Sequence, residues 1–256
     1  MGESTKNVIV TGAAGGMGAA VVRKLVARGV NVVAVDRNPD NLARLKKGLD
    51  GADGAVETVL ADVGSAPDVE GFVKRAVTRF GGLDGIFNIA GILGKFVPIA
   101  DASNEDYDEV MRVNAKSVWL GMKYAIPALI ARGGGAIVNT GSYLSWHGGE
   151  LLGPYIASKH ALVGLTKTAA LENARHKIRV HLLCPGSIDT QMNIDTADGI
   201  SPNDRNSGLR MLETYTVTGK VADPDDVATI GVFLLLDAPL QMTGTLIPID
   251  GGGAAR

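Results

Sequence analysis

The stretch Asn7–Arg37, NVIVTGAAGGMGAAVVRKLVARGVNVVAVDR, holds a complete strand–turn–helix–strand unit. Its first segment, NVIV, is apolar and β-branched, which favours a buried strand. GAAVVRKLVARG then repeats apolar residues at helical spacing and ends at Gly29, a residue type common after a helix. NVVAVD is a second apolar strand. Because the helix returns the chain to the same end of the sheet, the two strands are predicted to pair in parallel.

The same alternation continues to the end of the chain. Further apolar strands are predicted in AVETVLADV, LDGIFNIAG, GAIVNTGS, KIRVHLLCPG and GTLIPIDGG, with helical patterns between them. One long helical pattern covers residues 104–133, and residues 187–220 are polar, without clean periodicity, and predicted to be irregular. The pattern predicts one α/β domain over residues 1–256, with a doubly wound, mostly parallel sheet of seven strands and helices on both faces. In such a sheet, ligands bind beyond the carboxyl ends of the strands.

Composition and charge exclude several classes of function. The 256 residues carry a net charge of −2 with both signs well mixed, which argues against a nucleic-acid partner. One cysteine, Cys184, and four scattered histidines argue against disulfides and a metal centre and suit a cytoplasmic location. Neither a membrane helix nor a signal peptide is expected, because no apolar run reaches roughly 18 residues. Met1-Gly2 formally permits myristoylation, which we do not expect so close to the first strand.

A glycine-rich turn, TGAAGGMG (Thr11–Gly18), follows the first strand. Glycines allow a sharp turn and a close approach of the backbone to a phosphate. The next helix would present free N–H groups to a pyrophosphate. The spacing of Gly12, Gly16 and Gly18 differs from G-x-G-x-x-G, and no Lys-Ser/Thr pair follows, so an ATP or GTP loop is not predicted.

Asp36 ends the second strand, where an acidic residue can bind a ribose 2′-OH. A carboxylate at this position repels a 2′-phosphate, so NAD is favoured over NADP. The neighbouring Arg37 complicates this reading, because a guanidinium can pair with that phosphate.

Tyr155 and Lys159 lie four residues apart in the helical pattern GPYIASKHALVG, on one helix face. They could form a proton-transfer pair with Ser142, which ends the fifth strand, because a nearby ammonium lowers the pKa of a phenol. They could equally be an ordinary aromatic and a solvated lysine. A Ser-His-Asp triad is a weaker alternative, since NTGSYLS lacks a G-x-S-x-G elbow. Asn114, inside an apolar helical pattern, is either satisfied by a backbone carbonyl or marks a helix distortion that holds a water.

Taken together, these motifs resemble the short-chain dehydrogenase/reductase family along nearly the whole chain. The matching segments, in order, are TGAAGGMG (Thr11–Gly18), Asp62-Val63, NIAG (Asn88–Gly91), Asn114, Ser142, YIASK (Tyr155–Lys159), PGSIDT (Pro185–Thr190) and TGTLIPIDGG. The resemblance implies a Rossmann-type fold, a nicotinamide dinucleotide cofactor and a homo-oligomer, typically a tetramer. Ile89 departs from the family's usual Asn-Asn-Ala-Gly pattern, which removes one structural hydrogen bond.

The resemblance also implies roles for individual residues. The catalytic residues would be Asn114, Ser142, Tyr155 and Lys159, with Tyr155 as the acid/base, Lys159 lowering its pKa, Ser142 orienting the substrate oxygen and Asn114 supporting a proton relay. The cofactor would contact Gly12, Gly16, Met17, Gly18, Asp36, Arg37, Asp62, Val63, Asn88, Ala90, Gly91, Tyr155, Lys159, Pro185, Gly186, Ile188 and Thr190. No metal ligands are expected.

The substrate is less well defined by the sequence. A substrate lid is expected at about residues 187–218, and Leu144 and Trp146, with Ser142 and Tyr155, would contact the substrate. Leu144, Trp146, Leu151 and Leu152 would suit a partly apolar or ring-bearing alcohol or ketone, or could simply anchor loops. The predicted function is an NAD-dependent oxidoreductase that interconverts a secondary alcohol and a ketone. A non-catalytic dinucleotide-binding sensor is the alternative, and a lyase or epimerase is less expected because the chain has no room for an added substrate domain.

Overall fold

Seven strands form the centre of the molecule in the computed structural model, which describes residues 5–49 and 51–255. They are β1 (Asn7–Thr11), β2 (Asn31–Asp36), β3 (Val56–Leu60), β4 (Gly85–Asn88), β5 (Gly135–Thr140), β6 (Ile178–Pro185) and β7 (Thr245–Ile249). Their order in the sheet is β3-β2-β1-β4-β5-β6-β7, and every neighbouring pair is parallel. The predicted doubly wound parallel sheet is therefore confirmed. The expectations about Met1 and Gly2 concern residues outside the described ranges.

Helices connect the strands and cover both faces of the sheet. They are α1 (Gly16–Val26), α2 (Pro39–Lys47), α3 (Ala66–Phe80), α4 (Asn104–Met111), α5 (Ser117–Arg132), α6 (Gly153–Asn173), α7 (Gln191–Ile200), α8 (Arg205–Thr214) and α9 (Pro224–Leu236). Ser65, Ser103 and Asp223 cap three of them by accepting a hydrogen bond from a first-turn N–H. Within the described ranges, no helix is long and apolar enough to cross a membrane.

Alternate strand residues bury on opposite faces of the sheet. Val8 and Val10 pack in the core under α1 and α9, whereas Ile9 packs in the core under α3, α5 and α6. Both faces are covered, which explains why these strands are apolar almost throughout. The strand order reverses between β1 and β4, and this switch point is where a doubly wound sheet binds ligands.

Residues 187–220 are not irregular, contrary to the prediction from their polar composition. They contain α7 and α8. Met192, Thr196 and Ile200 recur every four residues, which places them on one face of α7. This helical repeat is hidden in the sequence because polar residues and Gly199 fill the positions between.

The long helical pattern at 104–133 is interrupted by one π-helical segment, Arg112–Lys116, between α4 and α5. Asn114 lies at its centre, so a helix distortion, one of the two alternatives for this residue, is present here. Such segments occur often at functional sites.

Candidate active site

A cavity of about 920 Å³ opens at the carboxyl ends of the strands. One end is lined by the turn after β1 and by the ends of β2 and β3. The other is lined by the loop after β4, the segment before α6, and α7 and α8. It therefore runs from the switch point of the sheet to the α7–α8 segment.

The glycine turn after β1 forms a narrow wall of the cavity. Gly12 has a φ of +62°, and a Cβ there would lie 3.0 Å from the backbone of Ala90. At Gly18, a Cβ would lie 2.0 Å from the Gly12 carbonyl oxygen. No side chain caps α1, and its first turn holds no acidic residue. Its N–H groups therefore face the cavity beside Gly16 and Met17, which fits the pyrophosphate of a dinucleotide.

Asp36 and Arg37 line the cavity beside this turn. The Asp36 carboxylate accepts hydrogen bonds from the Ala14 N–H at 3.0 Å and the Asn38 N–H at 3.0 Å. These bonds hold the carboxylate beside the glycine turn, where the ribose of a dinucleotide would lie.

Asp62 and Val63 line the same part of the cavity, beyond the end of β3. Burial alone raises the pKa of Asp62, but hydrogen bonds from the Gly64 N–H and from Arg112 outweigh it and leave the pKa lowered. Asp62 therefore stays ionised at neutral pH.

The residues after β4 divide between the cavity and the core. Ala90 and Gly91 line the cavity, as predicted, and so does Ile89. The structure does not place Asn88 there. Its side chain is buried, donates to Asn139 Oδ1 at 2.9 Å, and would lie 2.4 Å from a Cβ on Gly121 of α5. The Asn88 side chain thus packs between β4, β5 and α5.

Ser142, Tyr155 and Lys159 line the middle of the cavity together. The Ser142 hydroxyl is held by the Leu144 N–H at 3.1 Å and lies close enough to the Tyr155 phenol to influence its pKa. Lys159 Nζ donates to the Thr140 carbonyl oxygen at 2.8 Å and lies 5.5 Å from the centre of the Tyr155 ring. The strand β5 and the first turns of α6 therefore bring the three side chains to one point.

The pKa of Tyr155 differs from the sequence-based expectation. Burial raises it, and the nearby Ser142 hydroxyl opposes this without outweighing it. The expected net lowering by Lys159 is not found, because removing the phenol from water disfavours its charged form. Burial also lowers the pKa of Lys159 to about 8, so this side chain remains mostly protonated at neutral pH.

Asn114 is buried behind this group and does not line the cavity. Its amide accepts from the Ile92 N–H and donates to the Ile92 carbonyl oxygen, both at 2.8 Å. It also donates to Ser158 Oγ at 3.1 Å, and Ser158 in turn donates to the Tyr155 carbonyl oxygen. Asn114 thus ties the loop after β4 to the first turn of α6, and Ser158 is part of this buried connection.

The segment after β6 forms the roof above the glycine turn. Pro185, Gly186, Ile188 and Thr190 all line the cavity. The Gly186 N–H donates to the Ile249 carbonyl oxygen at 2.9 Å. A Cβ on Gly16 would lie 2.9 Å from Thr190 Cγ2, so the segment rests directly on the turn.

The remaining lining is largely apolar. Leu144, Leu151 and Leu152 line it as expected, but Trp146 does not. Trp146 packs instead against the core on the α6 side of the sheet, because the 3₁₀ turn Tyr143–Ser145 directs the chain away from the cavity at that point. The sequence did not single out several further apolar lining residues, among them Ile92, Leu93, Phe96, Met192, Ile200, Met211, Leu212 and Tyr215. The four-residue repeat in α7 was the available signal for Met192 and Ile200.

Charged and metal-binding groups are sparse in this region. Arg205 and Arg210 pair with Asp198 and Asp204 outside the cavity. His147 contacts the Tyr143 carbonyl oxygen, and His160 contacts that of Ile156, so neither histidine is positioned to activate Ser142. Within residues 5–49 and 51–255, no group of three or more His, Cys, Asp or Glu side chains could hold a metal ion.

Comparisons with known proteins agree with this geometry. The family model described as short chain dehydrogenase matches residues 6–200. The chain is 37% identical to 2,5-dichloro-2,5-cyclohexadiene-1,4-diol dehydrogenase of Sphingobium indicum, over 98% of each protein. The crystal structure of levodione reductase matches with a TM-score of 0.95 and 32% identity, over 98% of each chain. An NAD⁺-bound xylitol dehydrogenase matches with a TM-score of 0.91 and 28% identity, over 98% of this chain and 100% of that one.

Proposed function

The chain belongs to the short-chain dehydrogenase family and is an oxidoreductase with a nicotinamide dinucleotide cofactor, and we propose that it uses NAD to interconvert a secondary alcohol and a ketone. The observation that carries the proposal is the meeting of Ser142, Tyr155 and Lys159 midway along the cavity. They stand between a glycine turn suited to a pyrophosphate and an apolar region suited to an organic substrate.

Each catalytic side chain then has a distinct task. When bound, the nicotinamide supplies a hydride to the carbonyl carbon or accepts one from the alcohol carbon. Ser142 holds the substrate oxygen, and in reduction Tyr155 donates its hydroxyl proton to that oxygen. The raised pKa of Tyr155 keeps the donating form populated. The Lys159 ammonium, 5.5 Å from the ring centre, stabilises the phenolate that forms, and Asn114 fixes the first turn of α6.

The Asp36 carboxylate favours the binding of NAD over the binding of NADP. Its carboxylate is already oriented by two backbone N–H groups and has lone pairs left for a ribose 2′-OH. A 2′-phosphate at that position would meet a like charge. Arg37 also lines the cavity, so we expect discrimination rather than complete exclusion of NADP.

An uncharged, ring-bearing alcohol or ketone is the proposed substrate class. The cavity around Tyr155 is lined by Leu144, Phe96, Met192 and other apolar side chains, while Arg205 and Arg210 are paired elsewhere. A relative is named for a cyclohexadiene diol, which fits this lining. Residues 187–218 are proposed to act as the lid over the substrate, within one catalytic domain.

The test is a panel of cyclic and open-chain alcohols and ketones, followed by NADH absorbance and repeated with NADP(H). We expect turnover with NAD(H), and we expect Tyr155→Phe to lower kcat at least 100-fold, roughly the contribution of a general acid. Tyr107→Phe, at an exposed tyrosine of α4, is the matched control. Activity that survived in Tyr155→Phe would contradict the mechanism. Tight NADH binding without turnover on the panel would favour a non-catalytic sensor.

We also propose a cytoplasmic homotetramer. Exposed apolar side chains on α5 and α6 support self-association, since Trp119 is 43% exposed and Leu171 is 84% exposed. The single cysteine suits a reducing compartment. Sedimentation analysis would reveal the number of chains, and a stable monomer would contradict the proposal.

A further inference from the structure

Four residues form a hydrogen-bonded group beside the end of β3, which we call the Asp62 clamp: Asp62, Gly64, Glu109 and Arg112. Asp62 Oδ1 accepts from the Gly64 N–H at 2.9 Å, and Asp62 Oδ2 accepts from Arg112 Nη1 at 2.7 Å. Glu109 holds the same guanidinium through both carboxylate oxygens, at 2.7 and 2.9 Å. Arg112, the first residue of the π-helical segment, therefore bridges Asp62, which lines the cavity, and Glu109 of α4.

Gly64 leaves space that Arg112 fills completely. A Cβ on Gly64 would lie 2.0 Å from Arg112 Nη1, 2.8 Å from Cζ and 3.1 Å from Cγ. All three nearest atoms belong to that one side chain. A methyl group at residue 64 would thus displace the guanidinium from Asp62 without meeting the backbone.

The ion pair between Arg112 and Asp62 is too exposed to contribute much to the stability of the fold. The Arg112 and Asp62 side chains are 33% and 47% exposed, and such solvent-exposed pairs contribute little to stability. Orientation is the stronger consequence, because both Asp62 oxygens are held in fixed directions. Each oxygen keeps a further lone pair, and Asp62 lines the cavity whereas Arg112 does not.

The family resemblance implies that Asp62 contacts the cofactor's adenine, and we propose that Arg112 is the positioning residue that orients the Asp62 carboxylate to accept a hydrogen bond from the adenine 6-amino group. This inference rests on the proposed binding of NAD(H) in the cavity. It makes Arg112 a determinant of base recognition although it does not touch the cofactor. The amino group is a donor that suits a carboxylate, whereas hypoxanthine carries an oxygen at the same place and would be repelled.

The test compares the dissociation constants of NADH and of its hypoxanthine analogue, deamino-NADH, by fluorescence titration. We expect the wild-type protein to bind NADH about tenfold more tightly, the effect of one charge-assisted hydrogen bond. Arg112→Ala should reduce this preference to about twofold or less, with an unchanged melting temperature. Arg112→Lys, which keeps the charge but lacks the planar guanidinium fork, should give an intermediate preference.

Gly64→Ala tests the same contact by an independent route. It should reproduce the loss of preference, and adding it to Arg112→Ala should cause no further loss, because both changes remove one interaction. Arg75→Ala is the matched control, since Arg75 forms an exposed ion pair with Glu57 on the other side of β3. It should keep the full preference.

The outcomes separate this inference from the proposed function. A wild-type protein that bound neither NADH nor deamino-NADH would overturn both. Tight NADH binding without preference over deamino-NADH, or a preference retained in Arg112→Ala, would overturn the role of Arg112 and leave the proposed function intact.

Discussion

Leu151 occupies an uncommon backbone conformation at the edge of the cavity. Its φ is +66°, in the left-handed region that costs a residue with a side chain about 1 kcal/mol or more. Its carbonyl oxygen accepts from the Val97 N–H at 3.0 Å, so this conformation joins the loop after β4 to the segment before α6. Its side chain lines the cavity. The cost of the conformation is offset by this connection between two walls of the site.

A matched pair of substitutions isolates this backbone effect. Both Leu151→Ala and Leu151→Gly remove the apolar contacts of the side chain, but glycine adopts a positive φ without strain. We therefore expect Leu151→Gly to have a free energy of unfolding about 1 kcal/mol above that of Leu151→Ala. Urea denaturation measures the difference. Equal stability, or a more stable alanine variant, would contradict the strain.

Burial of Lys159 should make stability depend on pH. Its pKa of about 8 in the folded protein is below the value of about 10.4 in an unfolded chain. Between these two pKa values the unfolded chain binds more protons than the folded protein, so the free energy of unfolding rises with pH. This gain in stability is lost as the pH falls through 8. Relative to Lys159→Met, the wild type should gain about 2 kcal/mol between pH 8 and pH 10. Parallel curves for the two proteins in denaturation experiments would contradict this burial effect.

Among the elements, α7 is held against the loop after β4 by a contact that requires glycine. A Cβ on Gly199 would lie 2.3 Å from the Phe96 ring. Phe96 and Ile200, the next residue of α7, both line the cavity. The position of this helix and the width of the substrate region are therefore linked.

Gly199→Ala should move α7 or the Phe96 ring and alter substrate binding. We expect KM to rise roughly tenfold while the Kd for NADH stays unchanged, because small displacements of positioning groups are costly. Adding Phe96→Leu should restore part of the loss by removing the ring. Steady-state kinetics and NADH titration of the wild type, of Gly199→Ala and of the double variant measure these effects. A parallel loss of NADH affinity would show that the contact supports the fold rather than the substrate region.

Sequence patterns predicted these elements unevenly. Strand apolarity gave the sheet, because burial on both faces leaves a continuous signal. The helices α7 and α8 were missed, because polar residues and glycines fill most of their positions and hide the apolar residues that recur in α7. Asn88 and Trp146 were assigned to the site from their neighbours in the sequence. Their side chains point elsewhere, because adjacent residues in a strand or turn face different directions.

At the scale of the whole molecule, early and late segments of the chain both contribute to the cavity. The ends of β1 to β3, with Gly186, Ile188 and Thr190 after β6, line the part proposed for the cofactor, and other later segments line the part proposed for the substrate. Ser142, Tyr155 and Lys159, the side chains proposed to be catalytic, lie where the two parts meet. The comparisons confirmed the resemblance to a known family. Its motifs lie at strand ends, where the fold brings distant residues together. The substrate was not predicted, since its lining comes from loops and helices without fixed spacing.

Cofactor binding should therefore stabilise the molecule as a whole. At one hundred times its Kd, NADH should raise the free energy of unfolding by about 2.7 kcal/mol, and thermal melting measures the shift. NADPH at the same concentration should give a smaller shift because of Asp36. Asp36→Ala should narrow the gap between the two cofactors. A larger shift with NADPH in the wild type would contradict the role assigned to Asp36.

The contact of Thr190 with Gly16, where a Cβ would lie 2.9 Å from the threonine methyl group, bears on protein engineering. A designer who transplants a foreign α7–α8 segment onto this scaffold, to obtain a new substrate range, inherits this junction. A donor segment that carries threonine at position 190 requires the recipient to keep glycine at 16. When this contact is kept, many exchanged α7–α8 segments can be screened on the same unchanged cofactor-binding part of the protein.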